Sequence, residues 1–478
     1  MVEKRSRADY VEKAWKVLHG LAGTYLKLLG PRELAVAAVA IAKSRSRFDE
    51  KRQFLNEVVR AALCLERGED ADQRNSPRGA AEISIRHLSN LAWAAASVQL
   101  EVSELFVVVV SAVKQSPGGC NARDVSQLLW AFGRSGHSAL GLQLLETLAG
   151  HVEPMLDGFS DHDIATTVWA IAALGMPGEK GMRFTAHLAS HASSRSFEFA
   201  PQGLSMVLWG CATLASKGVS IQRVDVVSSF APAVVRYAQR FTTQGASNIL
   251  WAVSTLARAS AEENGADDAD MAVLHGAHVL SSSEGDLLEA LLTALLERLP
   301  ECNAQDIANT LWAIANLNCL GPAAVRFLDM VAAHPEKLPT HMFTAQECAN
   351  SLWALARSRW EGDASAFILK LASRAASVSH LDEQSLSITV WALAALSHRS
   401  AAVPLLSRLD LGQLRSFPPA SLCLLAWTCG MLTLRDHPAR ALAVASEERA
   451  DELSISQLLA VARAFAGLWP RFPAMAPK

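Results

Sequence analysis

Asn303–Leu317 reads NAQDIANTLWAIANL, and its pattern decides the fold. Around Trp312 the order is apolar, small, polar, variable, apolar, Trp, small, apolar, small. The same order returns at Trp93, Trp130, Trp169, Trp209, Trp251, Trp353, Trp391 and Trp427, so nine of the twelve tryptophans share one register. Their spacings run 37, 39, 40, 42, 61, 41, 38 and 36 residues. A recurring period of about 38–40 residues is the mark of a repeat array. Two degenerate copies flank the series: Leu34–Ser44, with Val39 in the tryptophan slot, and Ile455–Leu468, with Ala460 there. Positions below are counted from the tryptophan, written W.

The repeat overrides the usual inference from length. A chain of 478 residues suggests about three domains, but stacked like units make one quasi-linear body without a central core. Residues 34–468 form the expected array, preceded by an N-terminal helix and lead-in (1–33) and followed by a Pro-containing tail (469–478). Within the lead-in, Ala8–Leu29 has an amphipathic pattern. Two insertions interrupt the array. Residues 68–79 are polar and turn-rich. Residues 259–285 hold six acids and no Lys or Arg, and a loop or loose helix at one edge is expected there, because insertions in such arrays map to loops.

Each repeat contains two helical patterns. The Trp helix opens at W−9 with a capping residue: Ser84, Asn121, Ser160, Thr242, Asn303, Thr344 or Asp382. Three residues on stand Asp124, Asp163, Asp306 and Glu347, the reciprocal partners of a capping box, which also suit the helix dipole. The helix is expected to run to about W+5. A partner helix follows; in Asp286–Leu299, leucines recur at helical spacing. Leu105–Val113 alone resembles a strand, but its place in the repeat makes it a helix. The Trp helix is apolar over roughly 220° of arc, wider than one buried face requires. W−4 and W+3 are almost always Ala, Ser or Gly, which permits close helix approach. The expected fold is all-α, an α-solenoid of about eleven helix hairpins.

Chemistry-bearing motifs are few. There is no H-E-x-x-H, G-x-S-x-G, Walker A or Gly-rich dinucleotide loop, so no enzyme, cofactor or metal is expected. The eight cysteines form no C-x-x-C pair, and Cys211, Cys348, Cys423 and Cys429 sit at apolar repeat positions, where free Cys acts as a small hydrophobe. The fourteen histidines are scattered; His87 and His162 lie near Trp-helix starts, where capping or surface roles are expected. No run of 18 apolar residues exists, so no membrane span is expected. The net charge is −3, and without the acidic insertion 44 basic residues face 41 acidic ones. A near-neutral body leans on charge less than a general polyanion binder does.

One polar stripe stands out. W−7, W−3 and W+4 fall within about 40° on the helix face. W−7 holds Arg86, Arg123, His162, Gln202, Gln244, Gln305, Gln346 and Gln384. W−3 holds Asn90, Gln127, Thr166, Met206, Asn248, Asn309, Asn350, Ile388 and Leu424. Amides can hydrogen-bond base edges without bulk positive charge, and Arg86 and Arg123 are candidate phosphate contacts. A solvated face, or Asn bonding to a neighbouring repeat, explains the same residues. The tryptophan borders the stripe; packing between repeats is favoured over base stacking, since buried aromatics dominate packing energetics.

IANTLWAIANL, CANSLWALARS and LSITVWALAAL resemble the octotricopeptide repeat, a unit of about 38 residues. They are also similar to the helical repeats that precede RAP domains, and to repeat subunits of the mitochondrial RNA-editing substrate-binding complex. The resemblance covers residues 34–468. It implies an α-solenoid that binds single-stranded RNA in a mitochondrion or chloroplast and acts in RNA processing, stability or translation, alongside other proteins of an RNA-processing complex. No RAP module follows Pro470, so that module's nuclease-like activity is not implied. The first thirty residues mix Lys4, Arg5 and Arg7 with Glu3, Asp9 and Glu12, unlike acid-poor transit peptides. The rival reading is an armadillo- or HEAT-like scaffold for an extended peptide or protein partner. A third reading adds a basic partner recruited by residues 259–285.

Overall fold

The computed structural model describes residues 25–44, 48–67, 83–219, 226–263, 282–378, 381–434 and 437–466. Outside these lie the insertion at 68–79, residues 264–281 of the acidic stretch, the 469–478 tail and most of the expected Ala8–Leu29 helix. The described end of that helix is a single 3-10 turn, Leu26–Leu28. Among the described residues there are 22 α-helices and no strand.

The contacts divide the chain into two compact units, Met1–Phe230 and Ala231–Lys478. In the first, the Trp-type helices are α1 (Pro31–Lys43), α3 (Ile85–Ser97), α5 (Ala122–Ser135), α7 (Asp161–Leu174) and α9 (Pro201–Ala215). They alternate with α2 (Phe48–Arg67), α4 (Ser103–Gln115), α6 (Ser138–Val152) and α8 (Glu179–Ser194). The next partner helix, α10 (Val226–Tyr237), spans the division. In the second unit the Trp-type helices are α11 (Thr243–Glu263), α13 (Ala304–Leu317), α15 (Ala345–Arg357), α17 (Glu383–Ala395), α20 (Pro419–Met431) and α22 (Ile455–Ala466). Between them come α12 (Ser282–Glu297), α14 (Pro322–Ala333), α16 (Ser365–Ser377), α18 (Arg399–Leu406), the single turn α19 (Leu411–Leu414) and α21 (His437–Glu448).

Within each unit, consecutive Trp helices pack on one another, as α5 does on α7 and α13 on α15, while partner helices form a second layer. This is α-solenoid packing: among the described residues there are eleven Trp-type helices, ten of them followed by a partner helix. Small residues set the tight spacing of the Trp layer. A Cβ on Gly210 would lie 3.0 Å from the carbonyl oxygen of Val168 in the preceding repeat, and one on Gly430 would lie 2.7 Å from that of Ala464 in the next.

The caps form where the W−9 rule places them. Asn121, Ser160, Asn303, Thr344 and Asp382 accept N–H bonds from the third residue of their helices. At Ser84 the reciprocal partner is His87, whose Nδ1 accepts the Ser84 N–H at 3.3 Å. Burial holds this imidazole below its ordinary pKa.

Three expectations need correction. The Trp helix before the acidic insertion does not stop near residue 259: α11 continues to Glu263, and α12 starts at Ser282. The last repeat is set one turn later than Ala460 suggests. Ser454 caps α22 with Gln457, Cys423 donates to the Gln457 carbonyl, and Gly430 meets Ala464. By analogy with the inner repeats these contacts put Arg463 in the tryptophan slot.

The third correction concerns the core. The largest fully buried side chains include Phe106, Phe132, Phe159, Phe184, Phe199, Phe230, Phe327, Phe343 and Phe367, and no tryptophan. Trp93, Trp130, Trp169, Trp209, Trp251, Trp312, Trp353 and Trp391 are half-buried, and Trp427 is 43% exposed. The helix wheel explains why. Position W lies at the rim of the apolar arc, beside the polar stripe rather than at the arc's centre. Interior cysteines fill small apolar gaps: burial pushes the thiols of Cys120, Cys211, Cys302, Cys348 and Cys429 up to about 12, and all eight are free.

Candidate functional site

The stripe is a surface in both units. At W−7, Arg86, Arg123, His162, Gln202, Gln244, Gln305, Gln346 and Gln384 are all exposed. One turn later Asn90, Gln127, Asn248, Asn309 and Asn350 are half-buried, as are Met206, Ile388 and Leu424. Each repeat therefore presents a short row that runs from an exposed tip at W−7, over the W−3 side chain, to the indole and then W+4.

Neighbouring rows touch. In the first unit the Trp93 and Trp130 ring centroids are 6.3 Å apart, and those of Trp169 and Trp209 are 6.4 Å apart at 28°. In the second, Trp312 and Trp353 approach to 4.5 Å at 33°. Half-buried amides join the same ladder: Asn309 Nδ2 donates to Asn248 Oδ1 at 3.4 Å, and Ser89 Oγ donates to Gln127 Oε1 at 3.4 Å. Bonding between repeats and exposure to a ligand are thus not exclusive, since a carboxamide retains further donors and acceptors.

Below the stripe, bonds from buried serines hold the repeats in step. Ser126 Oγ at W−4 donates to Asp163 Oδ1 at 2.8 Å, and Ser247 Oγ donates to Asp306 Oδ1 at 3.0 Å. Each carboxylate so engaged also caps its own helix. On the other side of the repeat, an arginine in the last turn of the partner helix or just after it reaches back to the carbonyl at W−10. Arg195 bonds Phe159, Arg298 bonds Phe241, Arg374 bonds Phe343 and Arg449 bonds Phe417. Glu198, Glu301 and Glu452 brace three of these arginines, whose hydrogen bonds lower the glutamate pKa values. These clasps escaped the sequence reading, although the recurring Arg-x-x-Glu before the next helix (RSFE, RLPE, RADE) marks three of them.

Sequence reasoning also missed part of the stripe's charge. Carrying the register into α1 places exposed Arg32 at W−7 and exposed Lys43 at W+4, and the Lys43 ammonium sits 5.5 Å from the Trp93 ring centroid. Among the described residues, positions W−7, W−3 and W+4 together with the bordering W slot hold seven Arg or Lys across the eleven repeats: Arg32, Lys43, Arg86, Arg123, Arg134, Arg357 and, in the W slot, Arg463. They hold no Asp or Glu, in a chain with 47 acids. A near-neutral total therefore conceals a stripe of one sign. Composition also shifts between units: cations gather in the first, amides in the early repeats of the second, and apolar side chains (Ile388, Leu424, Trp427, Met431) near its end.

The family model described as the Tbc2 translation factor, N-terminal domain, matches residues 238–405. That span holds the amide rows of the second unit and most of its repeats. No curated protein matches. Among solved structures, a chain of a homology model of the full-length AP-3 complex in an intermediate open conformation is 10% identical. It covers 98% of this chain and 100% of its own, with a TM-score of 0.28. A circular tandem repeat protein with novel repeat topology and enhanced subunit contact surfaces is 14% identical. It covers 94% of this chain and 99% of its own, with a TM-score of 0.23. No described helix is long and apolar enough to cross a membrane, and no group of three or more described His, Cys, Asp or Glu side chains is placed to hold a metal ion.

Proposed function

We propose that this chain is a single-stranded RNA-binding α-solenoid that acts by binding, not catalysis, in organellar RNA processing, stability or translation, in a mitochondrion or a chloroplast. The observation that carries this reading is the stripe: seven cations, no acids, and amides beside half-exposed indoles. Cations suit a phosphate backbone, amides suit base edges, and aromatic faces or edges suit unstacked bases. Within three close indole pairs the ring centroids lie 4.5–6.4 Å apart, wider than the ~3.4 Å rise of stacked bases. A strand laid along such a pair would have its bases drawn apart and their edges open to the side chains. The translation-factor match over residues 238–405 supports the translational part of the reading.

A scaffold role has one observation in its favour. Trp427 and Met431, each 43% exposed, extend the stripe as an apolar surface, which suits a protein of an RNA-processing complex better than it suits RNA.

Binding of the purified chain to a random single-stranded RNA pool and to duplex RNA at moderate salt tests the proposal. Single-stranded RNA should bind more tightly. Replacing Arg86 and Arg123 by Ala should weaken binding to all sequences and reduce the slope of log affinity against log salt by about 1–2. Preference for duplex, or no binding, moves the assignment to the scaffold.

A further inference from the structure

Three successive repeats of the second unit carry one and the same pair of stripe residues: Gln244 with Asn248, Gln305 with Asn309, and Gln346 with Asn350. In each pair the Gln is exposed and the Asn, one turn on, is half-buried beside its indole. The surrounding repeats differ from them and from one another: Arg123 with Gln127, His162 with Thr166, Gln202 with Met206, and Gln384 with Ile388.

On the RNA-binding reading above, we infer that these three repeats bind a run of one repeated base, and that the base is adenine. Equivalent rows offer each successive nucleotide the same pair of reading groups, so they favour the same base at each step. A carboxamide presents an N–H donor beside a C=O acceptor. The Asn309–Asn248 bond leaves that pairing in place: Asn309 keeps its oxygen and a second N–H, and Asn248 keeps both N–H groups and a further lone pair. Adenine offers an acceptor beside its N6 amino donor on two edges, through N1 on the Watson–Crick side and N7 on the Hoogsteen side. Guanine and the pyrimidines match a carboxamide on the Watson–Crick edge alone: guanine's Hoogsteen edge carries two acceptors, N7 and O6, and pyrimidines have no second edge of this kind. Adenine is therefore the base that the amide rows match in either orientation about the glycosidic bond.

The test uses the full chain at one fixed moderate salt concentration, with labelled oligoadenylate, oligouridylate, oligocytidylate and a mixed-sequence strand of equal length. Oligoadenylate should bind at least about tenfold more tightly than the pyrimidine homopolymers, the order expected for one bidentate amide–base pair. A uridine at the centre of the adenosine run should remove most of that advantage. Replacing Asn309 and Asn350 together by Val should bring oligoadenylate down to the level of the other strands. Replacing exposed Gln305 and Gln346 by Ala should do likewise without touching a half-buried position. Equal affinity for all the homopolymers overturns the adenine run and leaves RNA binding standing. An adenine preference that survives both pairs of substitutions belongs to stacking on the indoles and overturns the amide assignment. Failure to bind any single strand defeats the reading on which the inference rests.

Discussion

Trp312 shows how one residue serves both the stack and the surface. One side of its ring lies 4.5 Å from Trp353, centroid to centroid, while the side chain as a whole is only half-buried. Trp312→Ala should therefore cost about 2 kcal/mol, below the roughly 3–5 kcal/mol of a fully buried aromatic. Chemical denaturation of the variant measures this. RNA affinity should fall further than the stability loss accounts for, because the same ring faces the proposed ligand. A loss of 4 kcal/mol or more, taken as an order of magnitude, would return Trp312 to the core. The position was misjudged from the sequence because tryptophan's size outweighed its angle. Set at the rim of the apolar arc, the indole spans the boundary between packed and wet, and the phenylalanines fill the interior. The amides were legible at once, because W−7 and W−3 recur in phase with the cap.

At the scale of the helix, the capping signals carried the most information. Ser160 with Asp163, Asn303 with Asp306 and Thr344 with Glu347 fixed helix starts to the residue, since a cap is a local bond between groups three positions apart. Where the cap was overlooked the register slipped. Leu458 and Leu459 invited an alignment on hydrophobicity, while Ser454 with Gln457 places Arg463 in the tryptophan row. Bonds between repeats were invisible because they join residues 34–61 apart. The Ser247–Asp306 bond illustrates what they contribute. Both side chains are buried, and a hydrogen bond to a charged group is worth about 1.5–3 kcal/mol. Ser247→Ala should destabilise the second unit by about that amount, and a double-mutant cycle with Asp306→Asn should show coupling of about 1 kcal/mol or more. Additive losses would mean that the bond does not hold α11 to α13.

For the whole chain, stability is a sum of contacts between neighbours, not a property of one centre. Each clasp, ladder bond and close approach described here joins groups within a repeat or in adjacent repeats. A lesion should consequently stay local. Gly430→Val places a branched side chain against the Ala464 carbonyl, 2.7 Å from the ideal Cβ site. It should release α22, so that amides of 455–466 exchange with solvent much faster while those of α5 keep their protection. Hydrogen-exchange mass spectrometry reads both segments in one experiment. Uniform loss of protection would show a cooperative fold in place of a chain of neighbours. The repeat architecture was legible from the nine tryptophans, except for the register of the last repeat, which lacks one. The division of the stripe into cationic, amide and apolar stretches was not, because the first and last repeats lack the tryptophan that marks the register.

The indole ladder also gives the protein an optical property. Neighbouring chromophores at 4.5 Å and 6.3–6.4 Å share their electronic excitation, so the pairs should produce split circular-dichroism bands in the ultraviolet and an emission sensitive to whatever lies on them. Each unit contains at least one such pair. Occupancy of the stripe is thereby coupled to light that the chain itself absorbs and emits, and a binding event can be followed without attaching a dye.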